Sequence, residues 1–115
     1  MSYRNSKDLM LNLQERGSNG ETSQFKVEGA EALLIYANVT AKSGSSPTLD
    51  IQIQTSPDGE VWASASDFQQ FVDVGTDYAV FTSRQFGKYI KAVYTIGGSS
   101  TPKFTFQLIL ERKEN

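Results

Sequence analysis

The side chains best suited to chemistry in this chain are its carboxylates. Asp50, Glu60, Asp67 and Glu111 are available to form the pair of acids that glycoside hydrolysis requires. Their spacing singles out no two of them to face one another across a cleft. Asp73 and Asp77 stand four apart around Gly75 and could offer oxygen ligands to calcium, but the further acidic ligands of a calcium loop are missing. The plainer reading is a turn. Asp58, in Ser56-Pro57-Asp58-Gly59, is placed to cap its own turn. The 115 residues include no histidine and no cysteine. Serine–histidine triads, histidine general bases, thiolate or imidazole zinc sites and disulfides are therefore excluded. No phosphate-binding glycine loop is present. These residues predict a protein that is not an enzyme, with no cofactor and no metal.

Charge points the same way. Eleven basic and 13 acidic residues give a net charge of −2. Arg4 and Lys7 near the start, and Arg112 and Lys113 near the end, form only mild basic clusters. Nucleic-acid binders carry a basic excess on one face, so no nucleic-acid partner is expected. The first residues have no apolar stretch of the kind a secretory leader needs. The longest apolar run, Ala30 to Ala37, holds Glu31 and is too short to span a bilayer. No membrane partner is expected.

The elements that must carry these residues are strands. In Leu49-Asp50-Ile51-Gln52-Ile53-Gln54-Thr55, apolar and polar side chains alternate strictly, so Leu49, Ile51 and Ile53 face a core. Ser56 to Gly59 is a tight turn, with proline presetting φ and glycine free to take positive φ. Val61-Trp62-Ala63 begins the return strand, and Asp67 to Phe71 reads as a loop or a short strand. Residues 78–82 are a strand. Residues 88–96 and 103–110, rich in β-branched and aromatic residues around Gly97-Gly98-Ser99-Ser100-Thr101-Pro102, predict a β-hairpin. Near the start, Leu9, Leu11 and Leu13 alternate on one side of a strand over residues 8–14, after a polar arm over residues 1–7. Gln24 to Val27 is a short strand. The run Ala32 to Ala41 is apolar at most positions, as in a central strand covered on both sides. A buried helix is its competitor, and the β-branched content after Leu34 favours the strand. Ser43 to Pro47 is a loop joining neighbouring strands. About eight short strands result, with no helix and no internal repeat. The expectation is an all-β fold: one antiparallel β-sandwich, jelly-roll-like, filling residues 1–115 as one domain.

Trp62, the one tryptophan, has two readings: a core residue packed over the Asp-Gly turn, or a platform on which a sugar ring stacks. The row Tyr89, Lys91, Val93 and Thr95 is mixed for a plain solvent face. A second sheet or a partner would explain that.

The stretches Leu49 to Trp62 and Gly87 to Gly98 together resemble the capsid decoration, or cement, proteins of tailed bacteriophages. In those, an "aliphatic-x-aliphatic-x-Gln-Thr-Ser" strand leads into an acidic turn. A later "Gly-aromatic/basic-Tyr-aliphatic-Arg/Lys" strand, here Gly87 to Lys91, ends in "Tyr-Thr-aliphatic-Gly-Gly", here Tyr94 to Gly98, before a final strand rich in Phe and Thr. The likeness covers about half the chain, from Leu49 to Leu110. It implies a non-enzymatic virion protein made in the host cytoplasm and placed on the capsid exterior. Its partners would be the major capsid protein and itself, as dimer or trimer. Tyr3, Arg4, Lys7, Tyr89 and Lys91 are then the candidate contact residues, together with the exposed sheet edges. Ser56-Pro57-Asp58-Gly59-Glu60-Val61-Trp62 and Lys88-Tyr89-Ile90-Lys91 also resemble the motifs of discoidin-type carbohydrate-binding modules, which implies glycan binding. Another phage part, such as a tail, head-fibre or baseplate component, is the further alternative.

Overall fold

The computed structural model describes residues 4–82 and 84–114. Seven strands follow in order: β1 (Arg4–Arg16), β2 (Gly20–Glu21), β3 (Phe25–Lys26), β4 (Ala32–Ser56), β5 (Ala63–Asp67), β6 (Gly75–Thr82) and β7 (Tyr89–Glu114). All their pairings are antiparallel.

The fold is organised by a ribbon of β4 and β7, paired from Ala32 opposite Lys113 to Ser56 opposite Tyr89. Straight, the 26 residues of β7 would run about 85 Å. The longest dimension of the molecule is 50 Å, so the ribbon folds on itself. It bends where the pairing slips, between Ser43 and Thr48 on one strand and between Gly97 and Lys103 on the other. The backbone there is left-handed at Gly44 (φ +100°), Gly98 (φ +122°), Ser46, Ser100 and Thr101. Bending puts two arms in two layers. In the first layer the order is β1-β7-β4-β6; in the second, β2 and β3 flank β7, and β5 flanks β4. The result is the expected antiparallel β-sandwich.

Two expectations about connectivity are corrected. Residues 88–96 and 103–110 are strand but do not pair with each other; both belong to β7 and pair with opposite ends of β4. Likewise Ser43 to Pro47 does not join neighbouring strands, since the segments before and after it lie in different layers. The physical reason is shared: glycines and serines that can turn a hairpin can also turn the corner of a ribbon.

The core lies between the layers. Leu33, Ile35, Ala37 and Val39 of β4, with Phe104, Phe106, Leu108 and Leu110 of β7, point inward from the first layer. Leu49, Ile51, Ile53, Ile90, Ala92 and Tyr94 meet them from the second. The Tyr94 ring stands edge-on to Phe106 at 5.3 Å, a direct contact across the sandwich.

The start of β1 also differs from the sequence pattern. The arm expected over residues 1–7 is strand from Arg4 onward, with Arg4 opposite Glu114 and Lys7 opposite Glu111. Two register slips, between Leu9 and Leu11 and between Leu11 and Gln14, break the alternation. Met10 is buried, Leu11 packs against the core, and Leu9 and Leu13 are exposed.

Candidate binding surfaces

Among the described residues, no three acidic side chains gather where they could hold a metal ion. Asp73 and Asp77 each accept the backbone N–H of the next residue, at 2.8 Å, as turn residues do. The Val74 N–H, and then the Lys42 ammonium 3.5 Å away, hold the Asp73 carboxyl below its usual range. Asp58 is a turn cap in the same way. One carboxylate oxygen accepts the N–H groups of Val61 (3.0 Å) and Glu60 (2.9 Å), while the buried Ser56 hydroxyl accepts the Gly59 N–H at 2.7 Å. Those backbone donors, Val61 first, lower the Asp58 pKa. Asp50 accepts both of its bonds from the Gln70 amide at 3.1 Å. It lines, with Gln52, Asp67, Phe68, Val93 and Thr95, a depression of about 330 Å³ on the second layer. These carboxylates are spent on backbone and amide donors.

The sandwich offers two outer faces. On the second layer, Tyr89, Lys91, Val93 and Thr95 point outward as the alternation predicts, because Ile90, Ala92 and Tyr94 point in. This row is covered by neither a second sheet nor open solvent alone. Lys91 is clasped by its own chain: its ammonium lies 3.1 Å from Glu21 and 4.5 Å from the centre of the Trp62 ring. Trp62 is therefore half-buried on the outer face rather than in the core, and one face of its ring is taken by Lys91. Tyr89 carries Lys88 at 5.9 Å from its ring centre.

The first layer presents a different surface. Lys7 lies there, exposed, far from Tyr89 and Lys91, which occupy the opposite face. Tyr3 lies outside the described residues, and Arg4 is placed by its backbone at the end of β1. The contact candidates thus do not form one site. Across this layer runs an apolar row that the candidates omit: Leu9 (β1), Ile109 (β7), Tyr36 (β4) and Tyr78 (β6) are cross-strand partners in turn. The Tyr36 and Tyr78 rings stand 5.8 Å apart. Beside it lies a second row, Lys7, Glu111, Leu34 and Val80. Leu9, Tyr78 and Val80 are each more than half exposed. The flanking row on the other side is polar, with Thr76 donating to Asn38 at 2.9 Å. An exposed apolar centre with a polar surround has the form of an interaction patch. Its signal in the sequence is the run Ala32 to Ala41, apolar on both faces, and the run of residues 78–81, which carries Tyr78 and Val80 opposite Ala79 and Phe81.

No protein-family profile matches the chain, and no curated protein matches it in sequence. Solved structures match it in fold. The VP2 subviral particle of infectious bursal disease virus aligns over 98% of this chain at 12% identity, with a TM-score of 0.63. The protein YomS, derived from the SPBc2 prophage, aligns over 99% of this chain and 96% of its own, at 11% identity and a TM-score of 0.57. A subunit of the disulfide-linked pili on Bacillus endospores aligns over 100% and 93%, at 8% identity and a TM-score of 0.55. This chain spans about a third of the bursal-virus chains. At these identities the likeness is one of fold.

Proposed function

We propose that this chain is a non-enzymatic structural protein of a virion, a decoration protein that lies on the outer surface of the major capsid protein shell and stabilises it. The observation that carries this reading is the first-layer face, with its exposed apolar row from Leu9 to Tyr78. The fold it shares with a capsid protein and a prophage-derived protein supports the reading, as does the resemblance of Leu49 to Trp62 and Gly87 to Gly98 to phage decoration proteins. Burying apolar surface yields about 25 cal/mol per Å² before costs. Association itself consumes about 4–15 kcal/mol, so one copy binds weakly. Many copies on a shell, or copies joined to each other, gain through effective concentration.

The test is binding of purified protein to shells assembled without it. The proposal requires saturable binding and a higher melting temperature of the decorated shell. Shells that neither bind the protein nor gain stability from it would refute it.

A further inference from the structure

The sandwich has four sheet edges, and three are protected. β1 carries two register slips, β5 has five residues and one slip, and β2 and β3 have two residues each. Bulged or very short edges resist pairing with another chain. β6 is different. Its eight residues pair with β4 in unbroken register, and no described strand pairs with its other side. It contains no proline and no lysine, and it exposes Tyr78 and Val80.

The hydrogen bonds show which groups face that open side. The Tyr78 N–H goes to the Asp77 carboxylate at 2.8 Å, and the Thr82 N–H goes to the Gln85 side chain at 2.7 Å. In an antiparallel ladder, alternate residues bond to the same neighbour. Asp77, Ala79 and Phe81 therefore bond to β4, and Thr76, Tyr78, Val80 and Thr82 face outward. Asp77 and Gln85 cap two of the outward N–H groups, and the Gln85 N–H donates to the outward Thr82 carbonyl at 2.9 Å, so pairing must displace these local bonds.

We propose that β6 is a self-association edge, at which a second copy of this chain adds antiparallel to form a two-fold dimer. Only registers joining one outward-facing residue to another can form bonds. Two such registers cover seven residues of β6, and the one that holds the Asp77 carboxylates farther apart sets Tyr78 opposite Val80 of the second copy, with Ala79 opposite Ala79 at the two-fold axis. Tyr78 beside Val80 is the aromatic–β-branched pair that antiparallel sheets favour. Asp77 is the one charged residue in β6. This register keeps the two Asp77 carboxylates about 14 Å apart along the strands, beyond the screening length of about 8 Å at physiological salt. The apolar row Leu9–Ile109–Tyr36–Tyr78 then continues into Val80 and Leu34 of the second copy. The dimer does not depend on the capsid reading, and a chain that dimerises without binding shells would refute that reading alone.

Sedimentation velocity from low to high micromolar concentration tests the dimer. The wild-type chain is expected to shift from monomer to dimer, and Val80→Lys to weaken the association at least about tenfold. Val80 is 52% exposed, so the substitution leaves the fold intact by circular dichroism. Register is tested with single cysteines, since the chain has none. Facing Ala79 positions form a non-hydrogen-bonded pair with Cα atoms about 4.5 Å apart, within disulfide reach. Ala79→Cys is expected to give a disulfide-linked dimer on mild oxidation. Thr82→Cys, whose copies lie about 20 Å apart in this register, is expected to stay monomeric on a reducing-free gel. A wild-type chain that stays monomeric throughout, a Val80→Lys chain that associates as before, or equal cross-linking of both cysteine variants would overturn the proposal.

Discussion

Replacing Gly44 by alanine tests the bent ribbon at its corner. Gly44 has φ +100°, and a Cβ there would sit 2.7 Å from Pro102 Cα and 3.1 Å from the Ser99 carbonyl oxygen. Both obstacles are backbone on the partner strand, so neither can rotate away. The left-handed conformation alone costs an alanine about 1–2 kcal/mol, and forcing the strands apart adds about 1–3 kcal/mol. Gly29 is the matched control. Its φ is +92°, but nothing lies within 4 Å of an added Cβ, so only the conformational cost applies. For a chain of this size each kcal/mol lowers Tm by roughly 4 °C. Gly29→Ala should therefore lower Tm by about 4–8 °C, and Gly44→Ala by about 8–20 °C. Urea denaturation should give the same order, with unchanged m-values. If the two variants melt together, Gly44 is not wedged against Pro102 and the tight corner is refuted.

Further outcomes follow from the packing. Phe106→Ala removes a fully buried ring that touches Tyr94 across the sandwich, and should cost about 3–5 kcal/mol by urea titration. Trp62→Ala should cost less, about 1–2 kcal/mol, because the ring is half-buried on an outer face; its near-ultraviolet signal should vanish while the far-ultraviolet spectrum persists. Leu9→Lys, at a 55% exposed site, should leave stability within about 0.5 kcal/mol while weakening shell binding at least about tenfold. Asp58 has a lowered pKa in the fold, so its contribution is fully present above the ordinary aspartate value near 3.8 and is lost as pH falls through the lower folded value. Asp58→Asn should therefore flatten the acid limb of a pH–Tm profile without changing its shape at neutral pH.

Local patterns and distant pairings were legible to different degrees. The strict alternation from Leu49 to Thr55 places Leu49, Ile51 and Ile53 in the core, because a period of two needs no knowledge of the partner strand. The Ser56–Gly59 turn reads correctly for the same reason: its bonds are local. Residues 88–96 and 103–110 are strands as expected, but their partners are set by packing of the whole ribbon, which no local signal encodes. The leucines of β1 alternate in sequence, yet two slips re-aim them, and a slip leaves no mark in residue type. Trp62 lies outside the core, on the outer face, where Lys91, distant in the chain and carried by β7 across β4 from β5, lies over one side of its ring. The face from Leu9 to Tyr78 was half visible in the doubly apolar run of β4; what it lacked was the register that aligns four strands into one row.

The most direct measurement of the central claim is cryo-electron microscopy of shells assembled from the major capsid protein and saturated with this chain. Density for the sandwich is expected on the outer surface at a fixed number of copies per coat subunit, with the Leu9–Tyr78 row turned toward the shell. Shells that carry no such density at saturating protein, or that hold the sandwich by the Trp62 face with the apolar row in solvent, would contradict it.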